Sequence, residues 1–254
     1  MLIISHKQIE KFRQVALTNF ETRMVAHCQD FSPRLSAVIG EGQLRIAVKA
    51  AINRARGHGL TLQGPVRLFI EMTLLFGSAF DTDPQYPWAV TILAGIVPNQ
   101  QIRRAEALYD RTRDYLRDVA GPDNAYTRTA LEQLALLARQ PAPISASNLY
   151  REIDRAYPQK VADLGKAALD ALIRDGLEAA RAASLSSPRG MVLMVLLRIA
   201  FGHGCAGDPL YPWIERTLRD DRIVNPSARE ARLERKARTW LRHVIADASG
   251  EARS

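Results

Sequence analysis

Apolar residues along this chain recur at helical spacing. In LRIAVKAAINRARGHG, Leu44, Val48, Ala51, Ile52 and Ala55 fall on one face of a 3.6-residue period, and Gly57 and Gly59 supply a stop. PVRLFIEMTLLFG opens on Pro65, suited to a first helical turn, and ends at Gly77. It is apolar on most sides at Leu68, Phe69, Met72, Leu75 and Phe76, which predicts a helix at the centre of its unit. IRRAEALYDRTRDYLRDV carries Ile102, Ala105, Leu108, Tyr109, Thr112, Tyr115 and Leu116 along one amphipathic stripe. A long helix is expected at the front, with Ser5 as its N-cap. Alternating β patterns are absent, so the fold class predicted is all-α.

The same pattern then returns 125 residues later. Pro33 meets Pro158, Gly40 meets Gly165, Ala55-Arg56 meet Ala180-Arg181, and Phe76-Gly77 meet Phe201-Gly202. The string DPQYPW at 83–88 becomes DPLYPW at 208–213. Similarity at one fixed offset predicts two similar helical-bundle units from an internal duplication. The expected organisation is a first unit over 1–120, a connecting helix and linker over 121–147, and a second unit over 148–254. Its helices are expected near 166–183, 188–202 and 226–247. Between the copies, YTRTALEQLALLAR reads as one extra helix and QPAPISAS as a linker, and the terminal ADASGEARS is expected to fray.

Composition narrows the classes little. The chain has 254 residues, 47% hydrophobic and 24% charged, which excludes disorder as a default. Two cysteines, Cys28 and Cys205, make no disulfide framework, and a reduced, cytoplasmic protein is expected. The start lacks the pattern of a signal peptide, and the most apolar stretch, 191–202, is interrupted by Arg198 and too short to span a bilayer. The formal charge of +8 permits an acidic partner, yet the arginines are interleaved with Glu and Asp as on a solvated helix face.

Candidate chemistry is sparse. No GxSxG, HExxH or Walker loop is present, so neither catalytic residues nor a cofactor is expected. Asp81, Asp83 and Glu71 are the carboxylates an enzyme reading would have to use. Asp81 with Asp83, or His203 with Cys205, lack the further ligands of a metal site. Glu71 lies in the most apolar helix and needs a partner, for which Arg67 stands four residues earlier. Arg56 and Arg181 are expected to tie the helix end to the following corner through Asp83 and Asp208. In that corner, two prolines rigidify Tyr86 and Trp88, and likewise Tyr211 and Trp213. These aromatics either plug the end of the core or, with Asp81 and Asp83, present a binding surface.

The stretch INRARGHGLTLQGPVRLFIEMTLLFGSAFDTDPQYPWAVTIL resembles a family of poorly characterised bacterial proteins. Their pattern runs R-A-x-G-[YH]-G-[IL]-T, then F-G-x-x-F-D-x-D-P-x-x-P-W-A. The resemblance covers residues 1–118; in the second copy Phe80 and Asp81 are replaced, and RARGHG has become ARAAS. Genes of that family lie beside those for type VI secretion spike components and toxic effectors. The resemblance implies a non-enzymatic adaptor or chaperone that binds a secretion effector or spike component. An immunity protein that neutralises a cognate toxin is the alternative, and a basic nucleic-acid-binding helical protein is a further one.

Overall fold

The computed structural model describes residues 5–95, 100–137 and 146–248. Thirteen α-helices follow one another among them: α1 (His6–Phe31), α2 (Pro33–Ile39), α3 (Glu41–Gly57), α4 (Gln63–Phe76), α5 (Pro87–Leu93), α6 (Gln101–Tyr115), α7 (Ala125–Leu137), α8 (Ala146–Ala156), α9 (Pro158–Leu164), α10 (Lys166–Ala182), α11 (Pro188–Phe201), α12 (Pro212–Leu218) and α13 (Pro226–Ala248). No strand occurs among the described residues, so the protein is all-α. No helix there is long and apolar enough to cross a membrane.

Helix boundaries follow from proline and glycine chemistry, and they recur. α2 and α9, α3 and α10, and α5 and α12 each begin and end 125 residues apart. Pro33, Pro158, Pro87 and Pro212 open their helices in the first turn, where a missing N–H costs nothing. α4 and α11 both end on a phenylalanine followed by a glycine with positive φ, +95° at Gly77 and +89° at Gly202. That backbone region is closed to residues with a Cβ.

α4 and α11 are the spine of the core, with Phe69, Ile70 and Met72 buried on one and residues 192–197 on the other. The apolar cluster runs unbroken through both halves of the chain. Cys28 and Cys205 are buried free thiols, and burial pushes both up to about 12, with Glu71 adding to the rise at Cys28.

The halves differ at their entry. α1 opens with a capping box, in which Gln8 N–H donates to Ser5 Oγ and Ser5 N–H to Gln8 Oε1. Its second half packs on α3 and α4 through Met24, Val25 and Cys28. Residues 10–16 of the same helix are all exposed, Phe12 at 67%. α8 corresponds to the last turns of α1 alone; ahead of it α7 folds back against α8 and reaches α13. The expected linker at 140–147 lies mostly outside the described residues, as do residues 249–254 of the tail. Residues 246–248 continue α13 instead of fraying.

Candidate functional site

The two DPxYPW corners meet each other. Asp83 Oδ2 accepts from the backbone N–H of His203 at 2.7 Å, and Asp208 Oδ2 accepts from the backbone N–H of Ser78 at 2.7 Å. Ser78 and His203 are themselves 125 residues apart, so the two bonds are one contact made twice in opposite directions. Each carboxylate also turns its own corner, taking Gln85 N–H at 2.9 Å and Leu210 N–H at 2.8 Å. The side chains of Gln85 and Gln43 then reach the carbonyls of Arg198 and Pro209, both at 2.9 Å. Reciprocal bonding of this kind is how an isologous twofold interface is built. The Asp208 carboxyl is pushed up by burial, partly offset by the Ser78 hydroxyl and the two N–H donors. Removing it strands those buried donors, while relieving the burial of the carboxylate itself. Asp208→Ala, and its counterpart Asp83→Ala, are each expected to cost about 2 kcal/mol in chemical denaturation.

The corner aromatics face inwards. Tyr86 and Tyr211 are buried; Trp88 and Trp213 are partly buried, with indole N–H groups that reach no acceptor. Phe76, Tyr86, Trp88 and Tyr115 form one edge-packed cluster, and Phe201, Tyr211, Trp213 and Trp240 the other. They close the core, the first of the two readings that the sequence left open. Asp83, buried in the seam, is likewise unavailable to a partner.

Arg56 and Arg181 are exposed, so the pairing expected for them with Asp83 and Asp208 is absent. Two residues before Arg56 and on the inner side, Arg54 takes the role with a different acid. Arg54 Nε donates to Asp81 Oδ1 at 3.0 Å, and His58 Nε2 lies 2.7 Å from Asp81 Oδ2. Burial works to raise the Asp81 carboxyl, but His58 and Arg54 outweigh it and hold it below the usual carboxylate range. His203 Nε2 from the other half reaches Thr82 Oγ1 at 3.2 Å. The counterparts of Arg54, His58 and Asp81 are Ala179, Ala183 and Ala206, so this latch is confined to the first half. Glu71 is held by Arg67 at 3.4 Å and more closely by His27 Nε2 at 2.7 Å, a partner that sequence spacing could not show. Among the described residues no group of three or more His, Cys, Asp or Glu could hold a metal ion.

The feature that separates the halves most is the face made by α4 and α6, compared with its counterpart on α11 and α13. In the second half α7 covers part of that face. Leu131, Leu134 and Ala135 of α7 enclose a cavity of about 30 Å³ with Leu193, Leu196, Leu197 and Ala200 of α11 and Ala237 and Leu241 of α13. Beyond α7 the face continues as a polar groove, in which Ser187 Oγ donates to Glu230 and Arg189 to Glu234. In the first half α1 meets the matching face at Glu71 through His27, and the positions matching Ser187, Ser227 and Glu234 are Leu62, Ile102 and Tyr109. All three are exposed, Tyr109 at 54%, and Leu75 on the floor is 43% exposed. The stripe expected on α6 is thus divided: Leu108, Thr112 and Tyr115 enter the core, while Ile102 and Tyr109 face solvent.

No family model, no curated protein and no solved structure matches this chain.

Proposed function

We propose that this protein is a non-enzymatic binding accessory, an adaptor or chaperone for a secretion effector or spike component, and that the α4–α6 face is where it binds. The observation that carries the reading is the contrast between the two faces. On the second half α7 covers part of the face and the remainder is polar, whereas on the first half Leu62, Leu75, Ile102 and Tyr109 are exposed. Contiguous apolar surface on a charged protein marks interaction. The projecting first half of α1, with Phe12 and Val15 exposed, lies on the same half of the chain.

The frame that presents this face is, in the same reading, a tandem duplication of one helical unit. Coincident helix ends at a shift of 125 residues and the reciprocal aspartate seam support it. Duplication lets one copy keep the seam while the other changes its surface. On this view the second half is the brace and the first half the reader.

The test is affinity capture from the native host with wild-type protein and with Leu75→Arg. Leu75 is exposed enough that its replacement is expected to leave the melting temperature within about 2 °C. A secretion effector or spike component recovered by the wild type and reduced at least tenfold by Leu75→Arg is the expected result. Equal recovery by both proteins, or no such component with either, would sink the reading.

A further inference from the structure

The second half of the chain also says what kind of ligand the open face takes. α7 is a 13-residue helix whose Ala130, Leu134 and Leu137 are buried and whose Leu131 is packed against the core. These fall at i, i+1, i+4 and i+7, a single helical stripe. The face it covers shares its backbone layout with the open one, since α4 and α11 end 125 residues apart and α6 and α13 start so. Leu68 and Leu75 stand where Leu193 and Ala200 line the cavity under α7, and Met72, at the place of Leu197, is already buried. We infer that the α4–α6 face binds an amphipathic α-helix of a partner protein, laid across it as α7 is laid across α11 and α13. The inference rests on reading that face as the binding surface, and it names the occupant.

One substitution explains why α7 itself occupies the second face and leaves the first open. Where α7 meets Leu196, the first half has Glu71, partly buried and held by His27 and Arg67. Leucines pressed on Glu71 would strip water from a carboxylate whose hydrogen-bonding capacity those two residues only partly fill. The partner helix therefore carries leucine-type residues at the spacing of α7, with a small or hydrogen-bond-donating residue opposite Glu71. Discrimination through an unfavourable contact with the wrong helix is how related grooves avoid sharing ligands. Helix-in-groove docking of this form is read from anchors at i, i+4 and i+7.

The test uses the whole chain and a fluorescent synthetic peptide of residues 122–137, titrated by anisotropy. Wild type is expected to bind it weakly, Glu71→Leu at least tenfold more tightly, and Glu71→Leu combined with Leu75→Arg not measurably. Leu75→Glu in place of Leu75→Arg should give the same loss, which separates blocking of the face from a charge effect. Circular dichroism melts confirm that each variant is folded. Peptide binding that Glu71→Leu does not improve, or that neither Leu75 variant weakens, overturns the inference. So does a concentration-dependent dimer in sedimentation that Phe12→Glu returns to monomer, because the occupant would then be α1 of a second copy. If host capture fails while the peptide behaves as expected, the secretion partner falls and the helix-binding face stands.

Discussion

Gly77→Ala is expected to destabilise the protein by about 4 kcal/mol, more than any surface change. Two terms add. The backbone at Gly77 has φ +95° and ψ 159°, a region essentially closed to residues with a Cβ, at about 1–3 kcal/mol. A Cβ built there also comes within 2.9 Å of the backbone carbonyl oxygen of Phe201, across the seam, and a backbone oxygen cannot swing aside. Overpacking of that kind costs about 1–3 kcal/mol more. Two other glycines separate the terms. Gly202, the counterpart, places a Cβ 3.2 Å from the carbonyl of Phe76, a looser approach. Gly40 has φ +77° and nothing within 4 Å of its Cβ, so Gly40→Ala pays for conformation alone. The expected order of loss is Gly77→Ala, then Gly202→Ala, then Gly40→Ala. For a chain of this size, 4 kcal/mol corresponds to roughly 8–16 °C in melting temperature. Equal losses at Gly77 and Gly40 would show that the seam is not closely packed.

The same glycines explain how much of the fold the sequence displayed. Proline in the first turn of α2, α5, α9, α11, α12 and α13, glycine after α2, α4, α9 and α11, and apolar periodicity between them placed α4, α10, α11 and α13 to within about two residues and α3 to within about three. Periodicity also found Ser5 as a cap and α7 as an extra helix. The sites were less legible, because they depend on which elements face one another. Asp83 and Asp208 read as local turn residues, and they are; the longer bond each sends across the chain leaves no spacing to detect. Arg54 was hidden by Arg56, which recurs 125 residues later as Arg181 while Arg54 does not recur. Recurrence favoured the shared residue, whereas the ion pair formed on the face turned towards Asp81. The stripe on α6 looked uniformly core-facing because periodicity reports an apolar face and not whether another helix covers it. One signal was available: Ser187, Ser227 and Glu234 are polar where Leu62, Ile102 and Tyr109 are apolar. A search for catalytic motifs passes over such a difference between matched positions.

Lys160→Leu is expected to stabilise the protein by about 3 kcal/mol at pH 7, an unusual outcome for a core position. Lys160 is 6% exposed, with Nζ 2.8 Å from the Tyr115 hydroxyl and 4.8 Å from the centre of the Tyr86 ring. α9 thus drives its amine into the aromatic cluster of the other half. Burial lowers its pKa from 10.5 to about 8, against the pull of Asp83 and Asp163. The unfolded chain therefore binds the proton more tightly than the folded one. Below pH 8 both states are charged and the full cost is present; between pH 8 and 10.5 it is relieved as the folded amine deprotonates first. A shift of this size amounts to roughly 3 kcal/mol. The matching position in the first half is Leu35, packed against the same apolar core, which indicates that leucine suits the site. Tyr115 keeps its edge-on ring contact with Tyr86 when the amine is removed. Cys28, Cys205, Tyr86, Tyr115 and Tyr211 keep their protons in the fold, so the wild type alone gives a mixed alkaline profile. Their contributions cancel in the difference between wild type and Lys160→Leu. Urea titrations from pH 7 to 10.5 should show that difference shrinking from about 3 kcal/mol towards zero. A difference that stays constant across the range would mean that Lys160 is charged at no cost, with its ammonium fully matched by the tyrosines and aspartates around it.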